Sequence, residues 1–250
     1  ILNDGLARAL GGDASLSGGY AYAANGAIAV RDLNLKAPKL TMKGDGGLSK
    51  SGALSFKASA ESADYGPADL TLSGTFDHLQ GALHAARPGL GVGVVDLAAT
   101  FEGVNGGYAV KAAGGSDYGP FSADARIGLD APLSVDIHHA EFAGIGMAGK
   151  LTQSPAGPFT GTLALSGAGL NGSAQLSAAG ADQAAALHAV GNAFTVPGPT
   201  PVRIGRALID ASLVLRDQAK IDADVQMANV QYNDMTLATG RAKIALVGQN

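Results

Sequence analysis

The sequence predicts a mainly β fold, and three observations carry that expectation. Apolar residues recur at every second position through most of the chain, the alternating runs are short and bounded by Gly, Pro, Asn and Asp, and similar phrases return along it. Alternation matters because successive side chains of a strand point to opposite faces, so each run has one apolar and one polar side. The tetrapeptide Asp-Tyr-Gly-Pro is spelled twice, at Asp64 to Pro67 and at Asp117 to Pro120. In each copy Gly66 or Gly119 can take a positive φ, and the proline after it donates no ladder hydrogen bond, so both read as strand connectors. A looser copy places Tyr232, Asn233 and Asp234 before the alternating Met235 and Leu237. One turn type used repeatedly implies one supersecondary unit laid down in series.

Taken in order, the opening residues are the exception to strand periodicity. Leu2, Leu6 and Leu10 recur at helical spacing before Gly11, which predicts one short helix weakened by Gly5. Strands are then expected through Leu54, Phe56, Ala58 and Ala60, through Leu70, Leu72 and Phe76, and through Val95, Leu97, Ala99 and Phe101. Further runs carry Phe121, Ala123, Ala125 and Ile127, then Leu133, Val135 and Ile137, then Leu163 and Leu165. Asn171-Gly172-Ser173 reads as a tight turn after them, in preference to a glycosylation sequon. The Ala-rich stretch from Ala181 to Val190 is assigned to a strand because Ala185, Leu187 and Ala189 alternate. The clearest hairpin follows: Ala207, Ile209, Ala211, Leu213 and Leu215 on one strand, a connection at Arg216 to Gln218, and Ile221, Ala223, Val225 and Met227 on the next.

Composition narrows the class. The 250 residues include 37 Gly but no Trp or Cys, with only 6 Tyr and 7 Phe, so a dense globular core would lack large side chains to fill it. Charged residues make up 15% and the net charge is −4, without the basic stripe a nucleic-acid surface requires; no nucleic-acid partner is expected. Absence of Cys removes disulfides and thiolate metal sites. No run of apolar residues is long enough for a membrane-spanning helix, and the start, at Ile, lacks the order of a signal peptide. Residues 1–250 therefore read as a single fragment of a longer repeat region, with no second domain.

Motifs that carry chemistry are missing. His138 and His139 adjoin with Glu141 nearby, but in a regular strand the two imidazoles would face opposite ways and could not share an ion. Asp222 and Asp224 share a strand face with Lys220 and Gln226, the pattern of a solvated surface. Gly89 to Asp96 has alternating glycines without the third glycine or the helix of a dinucleotide loop, and there is no nucleophile elbow, Walker loop or His-Glu-x-x-His. No enzyme activity, cofactor or metal is expected.

The stretches Phe142 to Ala178, "FAGIGMAGKLTQSPAGPFTGTLALSGAGLNGSAQLSA", and Val196 to Leu246, "VPGPTPVRIGRALIDASLVLRDQAKIDADVQMANVQYNDMTLATGRAKIAL", resemble the periplasmic repeat region of TamB proteins (translocation and assembly module, AsmA-like), in particular those of alphaproteobacteria. "GYAYAANGAIAVRDLNLKAPKLTMKGDG" at Gly19 to Gly46 is similar to the same family. The resemblance implies an elongated open β-groove, a folded-over, taco-like sheet of short antiparallel strands and hairpins. It also implies an inner-membrane anchor and an outer-membrane barrel partner, TamA, reached through parts of the protein outside this middle segment. The expected location is the periplasm.

Joined to that resemblance, the apolar parity becomes a trough for phospholipid acyl chains. Its expected lining is Leu54, Phe56, Leu70, Leu72, Leu97, Phe121, Leu163, Leu165, Ile209, Leu213, Leu215, Ile221, Val225 and Met227. Exposing an acyl chain to water costs about 0.8 kcal/mol per methylene, which a uniform apolar lining offsets without specific contacts. The expected function is passive phospholipid transfer between membranes in outer-membrane biogenesis. Two other readings stay open at this point: an assembly or secretion factor for outer-membrane β-barrels or autotransporters, and a filled β-solenoid serving as a stalk or adhesin.

Overall fold

The computed structural model describes residues 10–88, 93–117, 119–196, 201–215 and 219–247. The chain divides into two compact units, residues 1–122 and 123–250, and the described residues hold seventeen strands with no helical element. The fold is mainly β, an open antiparallel sheet that does not close into a barrel.

The first unit carries β1 (Ser15–Tyr22), β2 (Ile28–Lys36), β3 (Leu40–Leu48), β4 (Leu54–Ser62), β5 (Gly66–Thr75), β6 (His78–Ala85), β7 (Val95–Val104) and β8 (Gly107–Gly115), each antiparallel to the one before. Most of its connections are short, as the alternation of runs and turn residues requires. The first Asp-Tyr-Gly-Pro joins β4 to β5, with Gly66 at φ 70° and Lys39 Nζ 2.8 Å from the Asp64 carboxylate across the connection. The second copy lies between β8 and β9, but its Tyr118 is outside the described residues.

β9 (Phe121–Gly128) falls largely in the second unit, followed there by β10 (Ser134–Phe142), β11 (Ile145–Gln153), β12 (Phe159–Gly167), β13 (Leu170–Ala179), β14 (Asp182–Val196), β15 (Val202–Leu215), β16 (Ala219–Tyr232) and β17 (Met235–Val247). Again each strand pairs antiparallel with the next. The Ala-rich stretch is strand, as expected. The hairpin of β15 and β16 sets Leu213 opposite Ile221 and Ile209 opposite Val225, and the third Tyr-containing connection joins β16 to β17 with Asn233 at φ 51°.

Four local expectations are corrected. Asn171-Gly172-Ser173 lies inside β13; the turn is two residues earlier, where Ala168 and Gly169 both have positive φ (48° and 81°), the backbone a two-residue hairpin demands. Phe76 sits in the connection after β5, 71% exposed, because the strand ends at Thr75. Val95 leaves the parity of Leu97: a bulge at Asp96 (φ 50°) puts Val95 opposite Gly115, on the side of Ala98 and Ala113. The same mechanism separates the histidines from simple alternation, since the β10 ladder is shifted between Ile137 and Ala140. His138 and His139 are both exposed on the polar side, one 3.3 Å from Asp124 and the other 3.9 Å from Glu141. The expected short helix falls on residues outside the described set, apart from the buried Leu10.

The longest strands share a further irregularity. From β14 to β17 the ladder skips one row, at Ala193, Gly205, Asn229 and Ala238, and Ala193 and Asn229 have left-handed backbones (φ 48° and 56°). Beyond this row the pleat is reset, so residues three apart, not two, share the apolar side: Gly191 with Phe194, Ile204 with Ala207, Met227 with Val230. Phe194, Ile204 and Ala207 form a buried cluster there, with Leu170, Val202, Ile209, Met227 and Val230 packed against it.

Candidate functional site

Registers convert the sequence parity into two continuous faces within each unit, because residues directly opposite in a ladder point the same way. In the first unit one row crosses Gly46, Phe56, Leu72, Gly81, Phe101 and Val110, and the next crosses Gly44, Ala58, Leu70, Leu83, Ala99 and Ala112. In the second unit a row runs Leu151, Gly161, Leu176, Ala185, Leu213, Ile221 and Leu246, and the next but one on the same face runs Met147, Leu165, Gly172, Ala189, Ile209, Val225 and Ala242. No charged residue interrupts these four rows. The opposite face carries Lys57, Asp69, Thr71, His84 and Lys111 in the first unit and His188, Asp210, Asp222, Asp224 and Lys243 in the second.

The two faces differ in exposure as they differ in chemistry. Along β4 every residue of the apolar side, from Leu54 to Ser62, is half-buried or buried, and every intervening residue is exposed. Yet the apolar side is not a filled core. Among the described residues no large side chain is fully buried, and the extensive strand contacts join strands that are neighbours in sequence. Half-burial here comes at least from neighbours lying side by side along the ladders.

All fourteen residues expected to line the trough lie within described segments. Leu54, Phe56, Leu70, Leu72 and Leu97 share the apolar face of the first unit, where the Phe121 ring also meets Gly114. Leu163, Leu165, Ile209, Leu213, Leu215, Ile221, Val225 and Met227 share that of the second, with Leu215 45% exposed at a strand end. Sequence reasoning missed Met42, Leu48, Leu83, Val110, Leu151, Leu176 and Leu246, which the registers add to the same faces. In β3 the signal was present but blurred, since Gly44 and Gly46 occupy apolar positions between Met42 and Leu48.

No family model, curated protein or solved structure matches this chain. The reading of the site therefore rests on its own geometry.

That geometry includes depressions on the polar side. One of about 700 Å³ is lined by Ser173, Gln175, His188, Asp210, Ser212, Asp222, Asp224 and Lys243 together with alanines, Leu187 and Ile244; another of about 660 Å³ lies beside Arg206, Gln226 and Arg241. Their charged groups are largely satisfied by one another. His188 Nδ1 is 2.6 Å from Asp210, Lys220 Nζ is 3.2 Å from Asp222, and Arg241 Nε donates at 2.9 Å to Asp224 with its Nη2 on the second carboxylate oxygen. Among the described residues no group of three or more His, Asp or Glu is arranged to hold a metal ion.

The hydrogen bond from Arg241 holds the Asp224 carboxyl below its ordinary range, opposed by some desolvation and assisted by the charges of Arg241 and Lys243. A carboxyl lowered by folding stabilises the fold above its ordinary titration range, and that contribution is lost as pH falls through the lowered value. An NMR titration of Asp224 is expected to show a midpoint below that of the same residue in Arg241→Ala, where the midpoint returns toward the ordinary range. The pair is exposed, so its effect on stability is small and screened by salt.

Proposed function

We propose that this chain is a segment of a periplasmic conduit that shields acyl chains while phospholipids pass between membranes, in the manner expected of TamB-like proteins. One observation carries the reading: each unit has a continuous apolar face, unbroken by charge through its central rows, with no large side chain fully buried among the described residues. Exposed apolar surface of this extent is a binding surface by default, and a lining of Leu, Ile, Val, Phe, Ala and Gly offers acyl chains an environment like the bilayer interior. A filled β-solenoid would instead bury its large side chains completely. Transfer on such a surface is passive: the chain supplies a lower-cost path, and no bond is made or broken. Contact with an outer-membrane barrel and attachment to the inner membrane would belong to other parts of the protein.

Mass spectrometry of the purified chain tests this directly. Diacyl phospholipids are expected to co-purify, and the delipidated chain is expected to take up a conjugated polyene fatty acid whose fluorescence rises in apolar surroundings. Absence of both would overturn the proposal.

A further inference from the structure

Large side chains on the apolar face recline over glycines of the adjacent strand. A Cβ on Gly81 would lie 2.6 Å from Cε1 and Cζ of Phe101 and 2.8 Å from Leu72 Cδ2. Gly46 stands in the same relation to Phe56 and Gly114 to Phe121, while Gly191 meets the Phe194 ring of its own strand. The three cross-strand pairs all lie in the first unit, each on a different pair of neighbouring strands, so the arrangement is a repeated device. Its physical content is simple. A ring that would otherwise stand off the sheet lies down into the slot left by a missing side chain. The rows alternate accordingly, with Phe56 beside Gly46 and Phe101 beside Gly81.

We propose that these glycines are clearance residues: by letting the aromatic rings lie flat they set the free depth above the apolar face, and thereby admit acyl chains to it. This rests on the conduit reading and names the determinant of what fits. Gly81 is the decisive position, because the atoms nearest its absent Cβ are side-chain ends, whereas at Gly46 and Gly114 backbone oxygens also crowd the site. Gly81 is not among the residues with positive φ, so a β-branched residue is compatible with its backbone and with its strand. A side chain placed there leaves the strand intact and lifts Phe101 away from the sheet.

The test compares the wild type, Gly81→Val, the milder Gly81→Ala, and the double variant Gly81→Val/Phe101→Ala. Each is titrated with a nitroxide-labelled fatty acid, and broadening of the Val110 and Ala112 methyl resonances is followed by NMR; these residues lie directly opposite Phe101 and Ala99. Gly81→Val is expected to need about tenfold more fatty acid for the same broadening, the scale on which an apolar site discriminates a misfit of this size. Gly81→Ala should fall between Gly81→Val and wild type, and removal of the ring in the double variant should restore wild-type broadening. Circular dichroism and melting identify any variant that fails to fold, in which case Gly81→Ala decides. The proposal is overturned if the folded Gly81 variants titrate like wild type, or if removing Phe101 fails to restore binding. Wild type that shows no broadening overturns the conduit reading as well, so the two failures are distinguishable.

Discussion

Leu213→Asp is expected to remove most of the co-purifying lipid while the chain stays folded, and Ser212→Lys is expected to change lipid content little. Leu213 lies on the apolar face between Ala185 and Ile221, whereas Ser212, one residue earlier, lies on the polar face between Ala186 and Asp222. A carboxylate at 213 puts an ion where acyl chains would rest, and desolvating it costs several kcal/mol unless water reaches it. Lysine is the right control at 212, because the position faces Asp222 and a new carboxylate there would add like-charge repulsion across the ladder. Lipid content by mass spectrometry and far-ultraviolet circular dichroism are measured together. Unfolding by Leu213→Asp would favour a filled interior; unchanged lipid content in a folded variant would sink the conduit.

Phe194→Ala is expected to destabilise the second unit by about 3–5 kcal/mol, the range for deleting a buried aromatic side chain. Phe194 is 8% exposed in the cluster with Ile204 and Ala207, where the reset ladder closes the apolar side locally. Phe56→Ala, on the open face of the first unit, is expected to cost only about 1–2 kcal/mol, because the ring leaves a half-solvated surface and little cavity forms. Denaturant midpoints of the two variants check the contrast. Equal losses would mean that the two regions are packed alike.

Much of the architecture was legible because a strand exposed on one side writes its structure in a period of two. Ile209, Leu213 and Leu215 against Asp210 and Ser212, followed by Ile221 and Val225 against Asp222 and Asp224, mark the two sides of a hairpin that the structure reproduces. Turn chemistry was legible where it depended on a particular residue, as at Gly66. It failed at Asn171, because the neighbouring Ala168-Gly169 pair adopts the required left-handed backbone and leaves Asn171 to pair with Ser166 inside the ladder. Alternation also misled wherever an extra residue entered a strand, at Asp96 and at His138 and His139, since a bulge leaves no mark in the pattern of apolar residues.

The sequence by itself determined that the chain is mainly β, that each strand has an apolar and a polar side, and that no catalytic or metal motif is written in it. Those properties are local: they follow from residue type and position within a few neighbours. Only the tertiary structure decided which strands pair and in what register, and so which apolar residues meet across a face. It also decided that Phe56, Phe101 and Phe121 lie over glycines of neighbouring strands, and that the long strands reset their pleat along one row. These depend on neighbours brought together by hydrogen-bond ladders, and a pattern along one strand carries no record of the strand beside it.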